Sequence, residues 1–212
     1  LRDLSHIHPR YGWSDARRTE AHAYLLPIVL REVRALAQGR ALRVIDIGCG
    51  NGVTASLLAE EGHNVTAVDA SPDGIEIARA AYPRVRFEVC SVYEDRLPGL
   101  TAGPADCVVS LEVVEHLLYP KALFEQCRRV LHAGGRVIVS TPYHGYLKNL
   151  AISFVNGWDR HFTVGWDGGH IKFFSKRSLA EMAKAAGFTK VRFVGVGRIP
   201  GLWKSMILVA EK

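Results

Sequence analysis

The sequence predicts an α/β fold built on a doubly wound, mostly parallel sheet. Three observations lead there. Arg43-Val44-Ile45-Asp46-Ile47 is a buried-strand pattern that runs into glycines at 48, 50 and 52, a sharp turn. Asn64-Val65-Thr66-Ala67-Val68-Asp69 is a second such run, and it ends in an acid about twenty residues after the glycines. Apolar strand runs then alternate with helix-period segments as far as residue 141 and resume after 173.

Taken in order, Ser14 is a good N-cap for a helix reaching Gln38, stopped by Gly39 and kinked or divided by Pro27. The first strand and glycine turn follow. Val53–Ala59 reads as a helix whose N-terminus adds free N–H groups and partial positive charge behind the turn. Glycine lacks Cβ, so the backbone can take positive φ and let a ligand lie against it. The acid Asp69 falls beside the first strand's tip, where it can accept from two ribose hydroxyls. Together these features predict a docking place for a nucleotide-like molecule. A dinucleotide loop reads G-x-G-x-x-G; here the third glycine comes one residue early, at Gly52, and Val53 holds its place, which argues against NAD.

Ser71-Pro72 opens a helix to Ala81. Strands are expected over Val85–Cys90, Asp106–Glu112 and Arg136–Thr141, with a helix over Pro120–Leu131 and a turn at Ala133-Gly134-Gly135. Residues 142–173 break the alternation. Gly145–Asn156 is an amphipathic helix with Leu147, Leu150, Ala151, Phe154 and Val155 on one face. Trp158, His161, Phe162, Trp166 and His170 follow. Such an insertion, at the carboxyl ends of the strands, suits a substrate lid. Two other readings are a helix that covers core, and a peripheral membrane or dimer contact through 145–156. Ser175 caps the last helix, and Val191–Val196 and Trp203–Ala210 are closing strands.

Composition sets bounds. The 212 residues are 48% hydrophobic and 23% charged, enough for one domain spanning 1–212 with a large core. No apolar run reaches membrane-spanning length, and the first six residues lack a leader's apolar stretch, which gives a cytoplasmic expectation. Cys49, Cys90, Cys107 and Cys127 are scattered, so reduced buried thiols are expected and a zinc site is not. The net charge of +6 is spread over basic pairs such as Arg17-Arg18 and Arg128-Arg129, which predicts no nucleic-acid partner.

Asp46-Ile47-Gly48-Cys49-Gly50-Asn51-Gly52 with Asp69 resembles the class I S-adenosylmethionine-dependent methyltransferases. Glu112-Val113-Val114-Glu115-His116 resembles the ubiquinone-biosynthesis O-methyltransferase-like small-molecule type. The resemblance covers 40–141 well and 170–212 more loosely. It implies a seven-stranded Rossmann-like methyltransferase sheet with an antiparallel last strand. It implies S-adenosyl-L-methionine as cofactor and S-adenosyl-L-homocysteine as product. The cofactor-binding positions it implies are Asp46, Gly48, Cys49, Gly50, Gly52, Asp69, Ala70, Ser91, Val92, Leu111 and His116. At Ser91-Val92 the family usually carries an Asp near the adenine amine, and Ser91 departs from that. It also implies a helical lid over 1–39, in which Tyr11 and Trp13 either cover the pocket or pin the segment to the domain.

The acceptor is expected to be a small molecule methylated at a hydroxyl, with a lid histidine as base: His170 first, then His144. Tyr143, Trp158, His161 and Trp166 are the expected substrate residues. N- or C-methylation of a small molecule, or RNA or protein methylation, are the alternatives; the N/D-P-P-Y/F motif of amide- and base-directed enzymes is absent after the fourth strand. No metal ligand set is expected, since no histidine pair has i, i+4 spacing; a Mg2+-assisted mechanism using the nearby Asp159 and Asp167 is the disfavoured alternative.

Overall fold

A computed structural model describes residues 12–162, 165–166 and 168–212. Its seven strands are β1 (Arg43–Ile47), β2 (Asn64–Asp69), β3 (Arg86–Val89), β4 (Ala105–Leu111), β5 (Leu131–Pro142), β6 (Thr189–Val196) and β7 (Ser205–Glu211). They lie in the order β3-β2-β1-β4-β5-β7-β6. The first five are parallel, and β7 pairs antiparallel with both β5 and β6. This is the predicted doubly wound sheet, with its antiparallel last strand.

Strand alternation divides the core in two. Ile45, Val108, Val137, Val139, Met206 and Leu208 face α5 (Lys121–Val130) and α8 (Lys176–Ala185), where Leu123, Phe124 and Leu179 are fully buried. Val44, Cys107, Val109, Ile138, Ile207 and Val209 face α1 (Glu20–Ala37), α2 (Val53–Glu60) and α3 (Pro72–Ala81). The four cysteines are free and buried. Ser71 caps α3 by accepting from the Gly74 N–H at 3.3 Å.

Several expectations are corrected. The first helix starts after Thr19 rather than Ser14, and His22 Nδ1 accepts from the Thr19 N–H at 2.9 Å. Pro27 does not divide it. Pro27 and Ala23 both face solvent, so the Ala23 carbonyl released by the missing N–H meets water, while buried Leu25, Leu26, Val29 and Val33 hold the helix down. β4 stops at Leu111 because Glu112 takes a left-handed conformation, φ 54°. β5 continues past the expected turn at 133–135, but its pairing with β4 jumps there from Ala105↔Leu131 to Cys107↔Arg136, so the turn persists as a bulge on that side. Gly134, at φ 80°, gives its N–H to the Lys212 carbonyl, and Gly135 accepts from the Lys212 N–H, so the segment stays in the sheet.

The insertion holds α6 (Tyr146–Phe154) and α7 (Trp158–Phe162). The apolar stripe of α6 does not cover core. Leu147, Leu150, Phe154 and Val155 are exposed, Phe154 by 89%. The residue of α6 that is buried is Lys148, whose ammonium donates to the Lys204 carbonyl at 3.3 Å.

Candidate functional site

A cavity of about 740 Å³ opens at the carboxyl ends of the parallel strands, a volume that suits a nucleoside-sized molecule. The end of β1 supplies Asp46, and the turn after it Gly48, Cys49 and Gly50. The end of β2 supplies Asp69 and Ala70, the residues after β3 Ser91 and Val92, and the end of β4 Leu111 and Glu112. His116, in the 3-10 turn Val114–His116, and Trp166, in the insertion, complete that side.

The three glycines serve the fold differently from what the sequence suggests. A Cβ on Gly48 (φ 77°) would sit 2.3 Å from Val113 Cγ2, and one on Gly50 (φ 52°) 2.3 Å from the Trp13 ring. One on Gly52 (φ 83°) would meet Ala78 and Phe87 at 2.8 Å. Each therefore admits a side chain of the protein itself. Gly48 and Gly50 still offer backbone to the cavity, but Gly52 lies behind it, at the helix–sheet packing.

Asp69 is buried, and its carboxylate ties the site together. Oδ2 accepts from the Gly50 N–H and Oδ1 from the Ser71 N–H, both at 2.8 Å. Burial raises its pKa, opposed by these backbone bonds. Asp46 Oδ2 is buried with no hydrogen-bond partner. Burial, then the nearby Asp69 charge, pushes the Asp46 pKa up to about 7. Two desolvated carboxyls in one wall favour a ligand that carries positive charge. The Ser91 hydroxyl accepts from the Tyr93 N–H at 3.3 Å, and its own O–H remains able to donate.

The segment before α1 forms the opposite wall, with Trp13, Asp15, Arg17 and Arg18. Asn51 fixes it there: its side-chain amide donates to the carbonyls of Asp15 (3.0 Å) and Arg17 (2.9 Å). Asn51 and Arg17 were not legible as site residues, because their contact joins positions 34 apart; Arg18 enters the wall beside them. Tyr11 and Asp167 lie outside the described residues.

The remaining expected residues scatter. His170 does not line the cavity; its ring packs 4.9 Å from that of His116, which does. His144 and Trp158 line a second, aromatic cavity of about 440 Å³ with Asn149, Asp159, Phe162 and Phe173. His161 packs beside it, 4.8 Å from the Phe162 ring. Tyr143 stacks edge-on to Trp203 at 5.2 Å and lines neither. Burial holds His144 and His170 down to about 4, and Lys148 down to about 8.

At the insertion side of the cavity stand two carboxyls, the half-buried Glu112 of its lining and the buried Glu115 behind it. Glu112 is satisfied: Oε1 accepts from the Ser140 hydroxyl at 2.7 Å and Oε2 from the Ser205 hydroxyl at 3.1 Å. Burial raises its pKa to about 7. Glu115 is fully buried; the Thr141 hydroxyl faces its carboxylate without forming a hydrogen bond of good geometry, and burial, then the Glu112 charge, pushes its pKa well up.

Comparison with known proteins bears on this geometry. A family model described as a methyltransferase domain matches residues 17–192. The ubiquinone biosynthesis O-methyltransferase of Xanthomonas axonopodis pv. citri (strain 306) is 35% identical over 136 residues, 62% of this chain and 56% of its own length. That of Caulobacter sp. (strain K31) is 39% identical over 114 residues, 53% and 45% of the two. The chain thus spans about half the length of the curated relatives it matches. Among solved structures, magnesium protoporphyrin IX methyltransferase from Synechocystis PCC 6803 with bound SAH superposes with a TM-score of 0.68 at 18% identity, covering 88% of this chain and 81% of its own. A bacterial Hen1 methyltransferase domain gives 0.66 at 23%, covering 88% and 97%. At these identities the structural likenesses show the fold.

Proposed function

The chain belongs to the methyltransferase domain family, and from that membership we propose that it transfers a methyl group from S-adenosyl-L-methionine to a small-molecule hydroxyl, leaving S-adenosyl-L-homocysteine. The observation that carries the reading is the cavity at the strand ends with Asp46 and Asp69 in one wall. Two carboxyls out of water favour a cationic guest, and the proposed donor carries both an ammonium and a sulfonium. The names of the curated relatives, ubiquinone biosynthesis O-methyltransferases, support a hydroxyl acceptor.

When bound, the donor supplies an electrophilic methyl group on a positively charged sulfur. The residues of this chain do the rest. Asp69, held by the Gly50 and Ser71 N–H groups, keeps acceptor capacity toward the ribose. The backbone of Gly48 and Gly50 forms the floor, and Trp13 and the Asn51-tethered segment form the opposite wall. Leu111, Val113 and His116 bound the end where the acceptor enters, and holding the two reactants in line there supplies much of the acceleration. The hydroxyl proton leaves on the His116–His170 side. Of the two expected histidines, His170 is favoured over His144, because His144 faces the second cavity.

In this reading residues 142–173 serve as the substrate lid and 1–39 as the N-terminal helical lid, of which 12–39 are described. The exposed apolar face of α6 supports the reading of 145–156 as a contact with a bilayer surface or a second copy. Among the described residues no helix is long and apolar enough to cross a membrane, and we keep the cytoplasmic placement and the absence of a nucleic-acid partner as part of the proposal.

The test is calorimetric titration with S-adenosyl-L-methionine, followed by mass-resolved detection of S-adenosyl-L-homocysteine with a panel of phenols, hydroxy acids and amines. Saturable donor binding and turnover on phenols or hydroxy acids alone are expected. No donor binding refutes the reading, and turnover confined to amines moves the chemistry to nitrogen.

A further inference from the structure

We propose that the second cavity, built by the insertion, binds a flat aromatic group of the acceptor that lies remote from the hydroxyl to be methylated. The role rests on the methyl-transfer reading and narrows it to one substrate class: elongated acceptors with a hydroxyl at one end and an aromatic ring system at the other. A volume of about 440 Å³ has room for such a ring system. Among the described residues four rings line it, those of His144, Trp158, Phe162 and Phe173, with Asn149 and Asp159 as the polar members.

The ring geometry selects a flat guest. Trp158 and Phe162 stand four positions apart on α7 and stack at 5.0 Å, with 21° between their planes. His144 stacks on Phe162 in turn, at 5.7 Å and 18°. Phe173 stands edge-on to both Phe162 (4.9 Å, 81°) and His144 (5.0 Å, 78°). A planar ring meets parallel faces and a perpendicular edge, the two arrangements that aromatic pairs favour, whereas a saturated chain gains burial alone. Trp158 and Phe173 are both exposed, so a guest has apolar surface to cover. Two polar features narrow the class. Asn149 Oδ1 is buried without a hydrogen-bond partner, and the His144 ring faces it without forming a bond of good geometry. A buried carbonyl oxygen left so is costly, and an O–H or N–H on the guest's ring system satisfies it. Lys148 and Arg198 place positive charge beside the rings; after burial, their charges lower the His161 pKa. That disfavours an organic cation, although aromatic walls alone attract one.

One segment joins this cavity to the proposed place of methyl transfer. Ile171 and Lys172 donate their N–H groups to the Glu115 carbonyl, both at 3.0 Å, next to His116 of the main cavity. The His170 ring packs 4.9 Å from that of His116. Three residues on, Phe173 lines the second cavity, and the Phe174 carbonyl accepts from the His144 N–H at 3.2 Å. Three residues of chain span at most about 10 Å. A hydroxyl at the acceptor end of the main cavity and a ring among Trp158, Phe162 and Phe173 are thus within reach of one elongated molecule. Anchoring the remote ring aligns the hydroxyl with the donor's methyl group, so contacts far from the reacting atoms contribute to orientation.

The probes are 2-naphthol and its saturated counterpart decahydro-2-naphthol, which share size and hydroxyl but not flatness. Both are titrated by calorimetry into the full chain, with and without S-adenosyl-L-homocysteine. One 2-naphthol per chain is expected, with decahydro-2-naphthol roughly 10-fold weaker. Trp158→Leu and Asn149→Leu should each weaken 2-naphthol by about 10-fold and leave S-adenosyl-L-homocysteine affinity unchanged. Circular dichroism checks the fold, and Trp158→Phe, which keeps a flat face, should restore most of the affinity. Phenols carrying a naphthyl group on linkers of increasing length are then assayed with the donor. The expected kcat/KM peaks where the linker spans about 10 Å, and the peak is lost in Trp158→Leu. No stoichiometric 2-naphthol, an affinity unchanged in both folded variants, or equal binding of the two probes overturns the assignment. A kcat/KM that ignores linker length overturns the cavity's part in acceptor binding. Binding of 2-naphthol as expected, with no phenol turned over, refutes only the methyl-transfer reading.

Discussion

Replacing Asp69 by alanine tests the central geometry on two independent readouts. The carboxylate accepts from two backbone N–H groups at 2.8 Å inside a nearly closed environment. Alanine leaves both donors unpaired, at about 1–3 kcal/mol each. Removing a carboxylate that is itself destabilised by burial offsets part of this, so a loss of roughly 2–4 kcal/mol is expected in urea unfolding. The second readout is donor affinity. Losing a pair of charge-assisted hydrogen bonds to the ribose costs about 2–4 kcal/mol, roughly a 30- to 900-fold rise in Kd by calorimetry. Asp69→Asn separates the two. Its amide oxygen satisfies one N–H while its NH2 faces the other, so about half the stability loss and most of the affinity loss should remain. An unchanged urea midpoint in Asp69→Ala would show that these two bonds contribute nothing. A folded variant with donor affinity within threefold of the parent would remove Asp69 from the binding site.

Two further outcomes follow from the same wall. Gly48→Ala places a Cβ 2.3 Å from Val113 Cγ2 on a backbone at φ 77°. The conformational cost of about 1–2 kcal/mol and overpacking of about 1–3 kcal/mol should add to a loss of roughly 2–5 kcal/mol, partly recovered by Val113→Ala; a loss under about 0.5 kcal/mol defeats the packing account. Asp46 titrates near 7 in the folded chain against about 3.9 unfolded. Its folded pKa is raised, so its stabilising contribution is complete below about pH 4 and disappears as pH rises through 7. Between pH 5 and 8 this removes on the order of 2–3 kcal/mol, and Glu112, raised to about 7 by burial, acts in the same sense. Asp46→Asn should flatten the urea-stability profile across that range. Parallel profiles for variant and parent would count against a buried, unpaired Asp46.

Local signals carried much of the architecture. The apolar runs of β1 and β2, the Ser71 cap and the acid ending β2 are properties of adjacent residues, and they stand where the sequence put them. Features decided by distant partners were not legible. The Ala23 carbonyl's access to water, which lets α1 pass through Pro27, depends on which face the sheet covers. The periodicity of α6 correctly announced a helix with an apolar stripe, but nothing local said that Lys148 would turn inward and the stripe outward. The three glycines were read as room for a ligand, whereas Val113, Trp13 and Phe87 occupy that room. Likewise, the spacing of His116 and His170 conceals their contact, which the backbone bonds from 171 and 172 to Glu115 create.

The placement of β7 between β5 and β6 has a consequence for how the molecule is made. The strand translated last of the seven fills an interior slot. The roughly 60 residues between β5 and β7 take several seconds to emerge at about 5–20 residues/s. Throughout that interval the nascent chain carries an unzipped β5 margin, with Val137, Ile138 and Val139 waiting for Leu208, Val209 and Ala210. Such a margin invites pairing with a neighbouring chain. Yield during expression should therefore depend on how quickly ribosomes clear the stretch before Ser205, and on chaperones that shield a half-built sheet.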